Sequence, residues 1–166
     1  MKARDLAVSA AAAIAVPLLA ISFAAQGKKY EAPGHKIVHY GDLKWAAIIP
    51  GSELAVVSGD PNKEGEPFVI RIRTADGAKV PPHWHPTNEY ITVLKGTFLV
   101  GMGETYDETK LQAMNVGNFT IVPKETRHFA TCKGETIVQV HGMGPFKVNW
   151  VNPVDVPAAP ATREKK

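Results

Sequence analysis

Gly77-Ala-Lys-Val-Pro-Pro-His83-Trp-His85-Pro-Thr-Asn-Glu89, closed by Gly96, is the stretch that decides the fold. His83 and His85 are two apart, so on an extended chain both imidazoles project to one side. The turn at Pro86 to Asn88 lets Glu89 follow them. Two neutral imidazoles and a hard carboxylate oxygen suit divalent Fe, Mn, Ni, Co or Zn and match Ca or Mg poorly. A second stretch, Gly117-Asn-Phe-Thr-Ile-Val-Pro123-Lys-Glu-Thr-Arg-His128, reads as a strand, a proline turn and a returning strand that deliver a further imidazole. His128 is the expected fourth ligand. A lone H-x-H beside a Pro-Pro turn reads as surface histidines, but that reading leaves Glu89, both glycines and His128 unexplained.

Outward from these stretches the chain alternates short apolar runs with turn signals. Leu54–Ser58 and Phe68–Thr74 are expected strands, and the period of two in FVIRIRT turns Phe68, Ile70 and Ile72 inward and Arg71 and Arg73 outward. Glu89–Leu94, Thr97–Met102, Phe119–Val122, Arg127–Ala130 and Thr136–His141 complete the set. Lys95-Gly96, Gly117-Asn118, Pro123 and Lys133-Gly134 are read as the turns between them. Asp107–Met114 is expected as a short helix or an irregular loop. This spacing of strands, with thirteen prolines and fourteen glycines, predicts an all-β sandwich or closed barrel. A chain of 166 residues without internal repeats predicts one domain.

Both stretches resemble the two sequence motifs of the cupin superfamily. Gly77, His83, His85, Glu89 and Gly96 stand at every defining position of the first. Gly117, Pro123 and His128 match the second, while Glu125 stands where the family usually has glycine and Cys132 where it often has asparagine. The resemblance covers about Ala46 to Asn152 and includes some similarity to the cupin half of ChrR-type regulators. It implies a single double-stranded β-helix, or jelly-roll, barrel. It also implies a six-coordinate ion with four protein ligands and two positions open to water or substrate.

Other candidates are weaker. Gln139 and His141 share one face of a strand after the second motif, where family members often line the pocket; they are read either as pocket residues or as an outer pair. Cys132, four after His128, points by parity the way that ligand does, as a buried inert thiol or a reactive one. Trp84 is expected to face away from the metal and pack. Tyr90 and Met102 are expected in the core or barrel wall. His35 and His39 are read as surface residues.

The termini set the chain's expected address. Lys2 and Arg4, an apolar run from Leu6 to Phe23 and small residues before Gln26 have the layout of a secretory signal, with cleavage after Ala24 or Ala25. An uncleaved anchor is the competing reading, since Leu6 to Ala25 is near spanning length. Pro17 and the alanine-rich core favour cleavage. The expected organisation is a signal over 1–24, an N-terminal arm over 25–45, a barrel over 46–152 and a C-terminal tail over 153–166, in a periplasmic or secreted protein. The formal charge of +3 falls to +2 without Lys2, Arg4 and Asp5, and the basic block is confined to the terminal REKK, so nucleic acid is not an expected partner. Cys132 stands alone, which excludes an internal disulfide.

Function divides three ways at this point. A metal with two open positions in a dry barrel suits a metal-dependent oxidoreductase, dioxygenase-like, or an isomerase, acting on a small oxygen-bearing substrate. A non-catalytic module that binds or senses metal or a small ligand is the second reading. A homodimer in which the metal only stabilises the fold is the third, with residues 25–45 as the segment to be exchanged between copies.

Overall fold

The computed structural model describes residues 34–155; the expected signal and the start of the arm lie outside the described residues. Nine strands follow in order: β1 (Ala46–Ile49), β2 (Ser52–Ser58), β3 (Pro67–Thr74), β4 (Val80–Trp84), β5 (Glu89–Met102), β6 (Gln112–Asn115), β7 (Phe119–Val122), β8 (His128–Met143) and β9 (Asn149–Trp150). Every pairing is antiparallel. The expected all-β jelly roll is the observed fold.

The architecture rests on two long strands. β5 and β8 pair from Tyr90↔His141 to Met102↔His128. The first half of β5 and the second half of β8 belong to one layer, with β7 beyond β5 and β3, β2 and β1 beyond β8. Their other halves form the second layer, with β6 beyond β5 and β4 and β9 beyond β8. The ribbon passes between layers at Lys95-Gly96 and Glu135, where the register shifts. Lys95-Gly96 and Lys133-Gly134, expected as turns, are therefore opposed irregularities inside two continuous strands. Glycine supplies the left-handed conformation at each place, with φ of 73° at Gly96 and 74° at Gly134.

Parity then assigns the inward face. Phe68, Ile70, Ile91, Val93, Val100, Val138 and Val140 are buried in one cluster, with Leu54, Ile72, Phe98 and Phe146 packed against it. Arg71 and Arg73 face outward as their alternation predicts. Arg71 Nε donates to Gln139 Oε1 at 3.2 Å. Arg73 Nε donates to Glu53 Oε2 at 2.9 Å, and its guanidinium lies 4.5 Å from the Trp45 ring centroid. Tyr90 is half-buried in the barrel wall and Met102 is exposed.

β4 was not expected as a strand, because VPPHW carries two prolines. They sit where the ladder is interrupted, between the pairs Val80↔Ala130 and His83↔His128, so no ladder donor is lost there. The segment Asp107–Met114, expected as a helix or loop, is divided. Asp107 caps a single 3-10 turn, Glu108–Lys110, by accepting from Thr109 N at 3.0 Å, and the chain then enters β6.

Glu125, standing where glycine is usual, adopts φ 63°. The turn is kept at the expense of left-handed backbone on a residue with a Cβ, and Glu125 N donates to His85 O at 2.8 Å. Glu125→Gly is expected to stabilise the fold by about 0.5–1 kcal/mol, relief of the left-handed strain exceeding the entropy that glycine adds to the unfolded chain. Urea unfolding with an unchanged or lower midpoint is the result that contradicts this.

Candidate metal centre

His83 lies in β4, His85 follows one residue after that strand, Glu89 opens β5 and His128 opens β8. All four are 3–6% exposed. His83 and His128 are register partners across β4 and β8, with ring centroids 4.2 Å apart. Ligating atoms of His83, His85 and His128 lie within 4.8 Å of one another. Glu89 Oε2 completes the group at 3.3 Å from His85 Nε2 and 3.2 Å from His128 Nε2.

The rings are held by one device used three times. His83 Nδ1 lies 2.8 Å from Pro81 O, His128 Nδ1 2.9 Å from Thr126 O, and His85 Nδ1 2.9 Å from Lys147 O. A carbonyl only accepts, so each Nδ1 carries the proton and each Nε2 keeps its lone pair for the centre. This is the outer support that metal-binding histidines require. Aromatic rings fix the orientation further: Phe146 stacks on His85 at 4.5 Å and Trp150 lies 5.4 Å from His83.

Electrostatics agree with the tautomers. Burial, then the neighbouring His128 and His85, push the His83 pKa down to about 3, and burial also lowers His85 against the pull of Glu89. Burial works to raise Glu89, but the surrounding imidazoles, His128 first, outweigh it and hold the carboxyl below its ordinary value. His85 Nε2 and Glu89 Oε2 are buried with no hydrogen-bond partner among the described residues. Two orphaned atoms that both offer a lone pair, aimed at one point, are the arrangement that a divalent cation satisfies, so the residues fit the metal that the fold family implies.

The same burial makes the metal-free protein acid-sensitive. An unfolded imidazole takes its proton near pH 6.5, whereas folded His83 takes it only near 3. Between those values the unfolded chain binds more protons, so stability falls as pH drops through the window. Urea unfolding of metal-free protein is expected to show about 2 kcal/mol less stability at pH 5.0 than at pH 7.5 from His83. A midpoint that does not move over this range contradicts it.

Beside the centre is a cavity of about 410 Å³ whose walls include Ile72, Ile91, Phe98, Val138, Val140 and the four metal-facing residues. Cys132 lines it, and burial, only partly opposed by nearby hydroxyls, raises the thiol's pKa; this favours the inert reading. Gln139 and His141, offered as pocket residues, are not in its wall. His141 is exposed and stacks on Tyr90 at 5.2 Å, and Gln139 accepts from Arg71. Between the pairs Val93↔Val138 and Thr97↔Lys133 the irregularity sets five steps of β8 against four of β5. The resulting change of face falls on β5, whose inward residues are Ile91 and Val93 before it and Phe98 and Val100 after it, so in β8 even-numbered Val138 and Val140 continue the face of His128 and odd-numbered Gln139 and His141 point out. Trp84 faces away from the centre and meets the Arg127 guanidinium at 5.3 Å. His35 and His39 are exposed.

Several contributors went unseen in the sequence: the carbonyls of Pro81, Thr126 and Lys147, the rings of Phe146 and Trp150, and the cavity hydroxyls of Ser52, Thr74 and Thr136. The P-x-H and T-x-H spacings carry the first two as a local i−2 signal. Lys147 and Phe146 carry none, because 62 and 61 residues separate them from His85.

A two-layered jelly roll with two histidines and a glutamate from one motif and a histidine from another defines a cupin. The chain belongs to the family described as the ChrR cupin-like domain, whose model matches residues 33–147. No curated protein matches it in sequence. Among solved structures it is similar to the polyketide cyclase RemF from Streptomyces resistomycificus (18% identity, TM-score 0.62, 74% of this chain and 89% of that one). It is also similar to an RmlC-like cupin from Shewanella frigidimarina (17%, 0.54, 66% and 90%). A third likeness is to salicylate 1,2-dioxygenase from Pseudoaminobacter salicylatoxidans (13%, 0.50, 60% and 27%). At these identities the likeness is one of fold.

Proposed function

We propose that this cupin holds one divalent transition metal on His83, His85, Glu89 and His128 and acts as a metal-dependent oxidoreductase on a small oxygen-bearing substrate. The observation that carries the metal site is the set of three Nδ1–H donors tied to carbonyls, which leaves three Nε2 atoms and the orphaned Glu89 oxygen facing one point. When bound, the ion supplies Lewis acidity and, if it is Fe, Mn or Ni, redox chemistry. The chain's own residues hold it, keep its ligands deprotonated and exclude water with the apolar wall.

One observation favours a binding or sensing module instead. Beyond Glu89 no carboxylate among the described residues lines the cavity, and burial favours the protonated form of its thiol, so no general acid or base stands ready there. Elemental analysis of purified wild type and His128→Ala separates the readings. Near one equivalent of Fe, Mn or Ni, lost in the variant, together with dioxygen consumption in the presence of diketones, enediols or phenols supports the oxidoreductase. Stoichiometric Zn without turnover supports binding or sensing, and no metal in either sample overturns both.

The proposal extends to address and assembly. The basic start, apolar run and small residues of 1–24 support export to the periplasm or beyond, and mass spectrometry of the exported protein that finds an intact Met1 overturns cleavage. Among the described residues no helix is long and apolar enough to cross a membrane. A homodimer is supported by the outer edge of β1, which no strand pairs among the described residues, and light scattering that finds a monomer at high concentration overturns it.

A further inference from the structure

The cavity wall carries information about the ligand that the metal centre does not. Away from the centre, the wall is apolar except for Ser52, Thr74, Thr136 and Cys132. Ser52 Oγ and Thr74 Oγ1 are 3.1 Å apart, and Thr136 Oγ1 donates to Thr97 O at 3.2 Å and Gly134 O at 3.1 Å. These hydroxyls sit at the register irregularity of β5 and β8, while Glu89 and His128 sit where those strands begin, so the polar groups mark two ends of an apolar chamber. Among the described residues no lysine, arginine or aspartate lines it. The arginines of β3 point outward and are engaged by Gln139 and Glu53. Where the cavity reaches solvent its lips are apolar too: Ile48 and Val148 line it and are each 37% exposed.

Charge balance turns this lining into a selection rule. A divalent ion against the Glu89 carboxylate leaves one positive charge, which one anionic oxygen group of a ligand neutralises. A second anionic group finds hydroxyls, which hydrogen-bond but carry no charge, and it is left buried without a counter-ion. We propose that the ligand is an apolar, ring-bearing molecule with one metal-binding oxygen group, a phenol, enol or 1,3-diketone, and no second charge. The lining thus selects against small dicarboxylates, sugar acids and phosphate esters. A volume of about 410 Å³ is within the range of sites that enclose drug-sized ligands.

The inference rests on the proposed metal centre, and the test separates the two. The full-length metal-loaded protein is titrated calorimetrically with benzoylacetone, an aryl 1,3-diketone that binds metal as a monoanion, and with oxalate, a chelating dianion without an apolar body. Benzoylacetone is expected to bind at least about 100-fold more tightly, given the cost of an uncompensated buried charge. Leu54→Trp, which fills the chamber from a half-buried wall position, is expected to weaken benzoylacetone by about 10-fold or more while leaving metal content unchanged. Oxalate binding as tightly as the diketone overturns the inference, as does a Leu54→Trp protein that retains metal and wild-type diketone affinity. If Leu54→Trp fails to fold, the two-ligand comparison on wild type decides alone. Absence of metal overturns the proposed centre instead, and the chamber is then judged on metal-free protein, where diketone binding supports the apolar selection and none overturns it.

Discussion

Saturating metal-free protein with its ion, at about a thousandfold over the dissociation constant, is expected to raise the unfolding midpoint by roughly 10–20 °C. A ligand that binds only the folded state at that excess adds about 4 kcal/mol. For a folded body of this size each kcal/mol moves the midpoint by about 3–5 °C. The gain is specific to the folded chain because the four donors come from the end of β4, the start of β5 and the start of β8, which unfolding separates. Metal-free, the fold carries two orphaned buried atoms, His85 Nε2 and Glu89 Oε2, and the ion removes both penalties. Glu89→Gln preserves the volume, removes the anionic ligand and is expected to shrink the shift to a few degrees. Scanning calorimetry with and without metal, on wild type and on this variant, is the measurement. Equal shifts in the two proteins place the ion elsewhere.

The donor set was legible because its information is local. His83 and His85 are two apart, Glu89 is four further on, and each spacing translates into a side of an extended chain. What was missed depends on long-range pairing. Lys95-Gly96 and Lys133-Gly134 have the composition of turns, and composition does not distinguish a turn from a bulge when the partner strand is unknown. Reading a turn at Lys133-Gly134 also broke the parity count along β8, so Gln139 and His141 lost their relation to His128. The continuous strand restores it and turns both outward. The prolines of β4 hid a strand whose ladder is interrupted at those residues. Phe146 and Trp150 belong to no periodic run, and only the closed barrel sets their rings beside His85 and His83.

Gly96→Ala is expected to destabilise the protein by roughly 2–5 kcal/mol, and Gly134→Ala, at nearly the same φ, by only about 1 kcal/mol. Both glycines are left-handed, so both substitutions bear the steric cost of a Cβ in that region, partly offset by a stiffer unfolded chain. They differ in what the new methyl meets. A Cβ on Gly96 lies 2.6 Å from Glu135 O and 2.9 Å from Thr136 Cα, and it also collides with the Thr136 hydroxyl; a Cβ on Gly134 has nothing within 4 Å. Backbone cannot rotate aside, so at Gly96 the two strands must separate where the ribbon passes between layers, adding an overpacking cost of about 1–3 kcal/mol. Thr136 also lines the cavity and bonds Thr97 O, so the damage is transmitted to the polar end of the chamber. Urea unfolding of the two variants side by side isolates the contact from the backbone effect. Equal losses show that the crossing is slack and that the first motif's glycine is required for its conformation alone; a difference of 1 kcal/mol or more shows that it is required because the strands touch there.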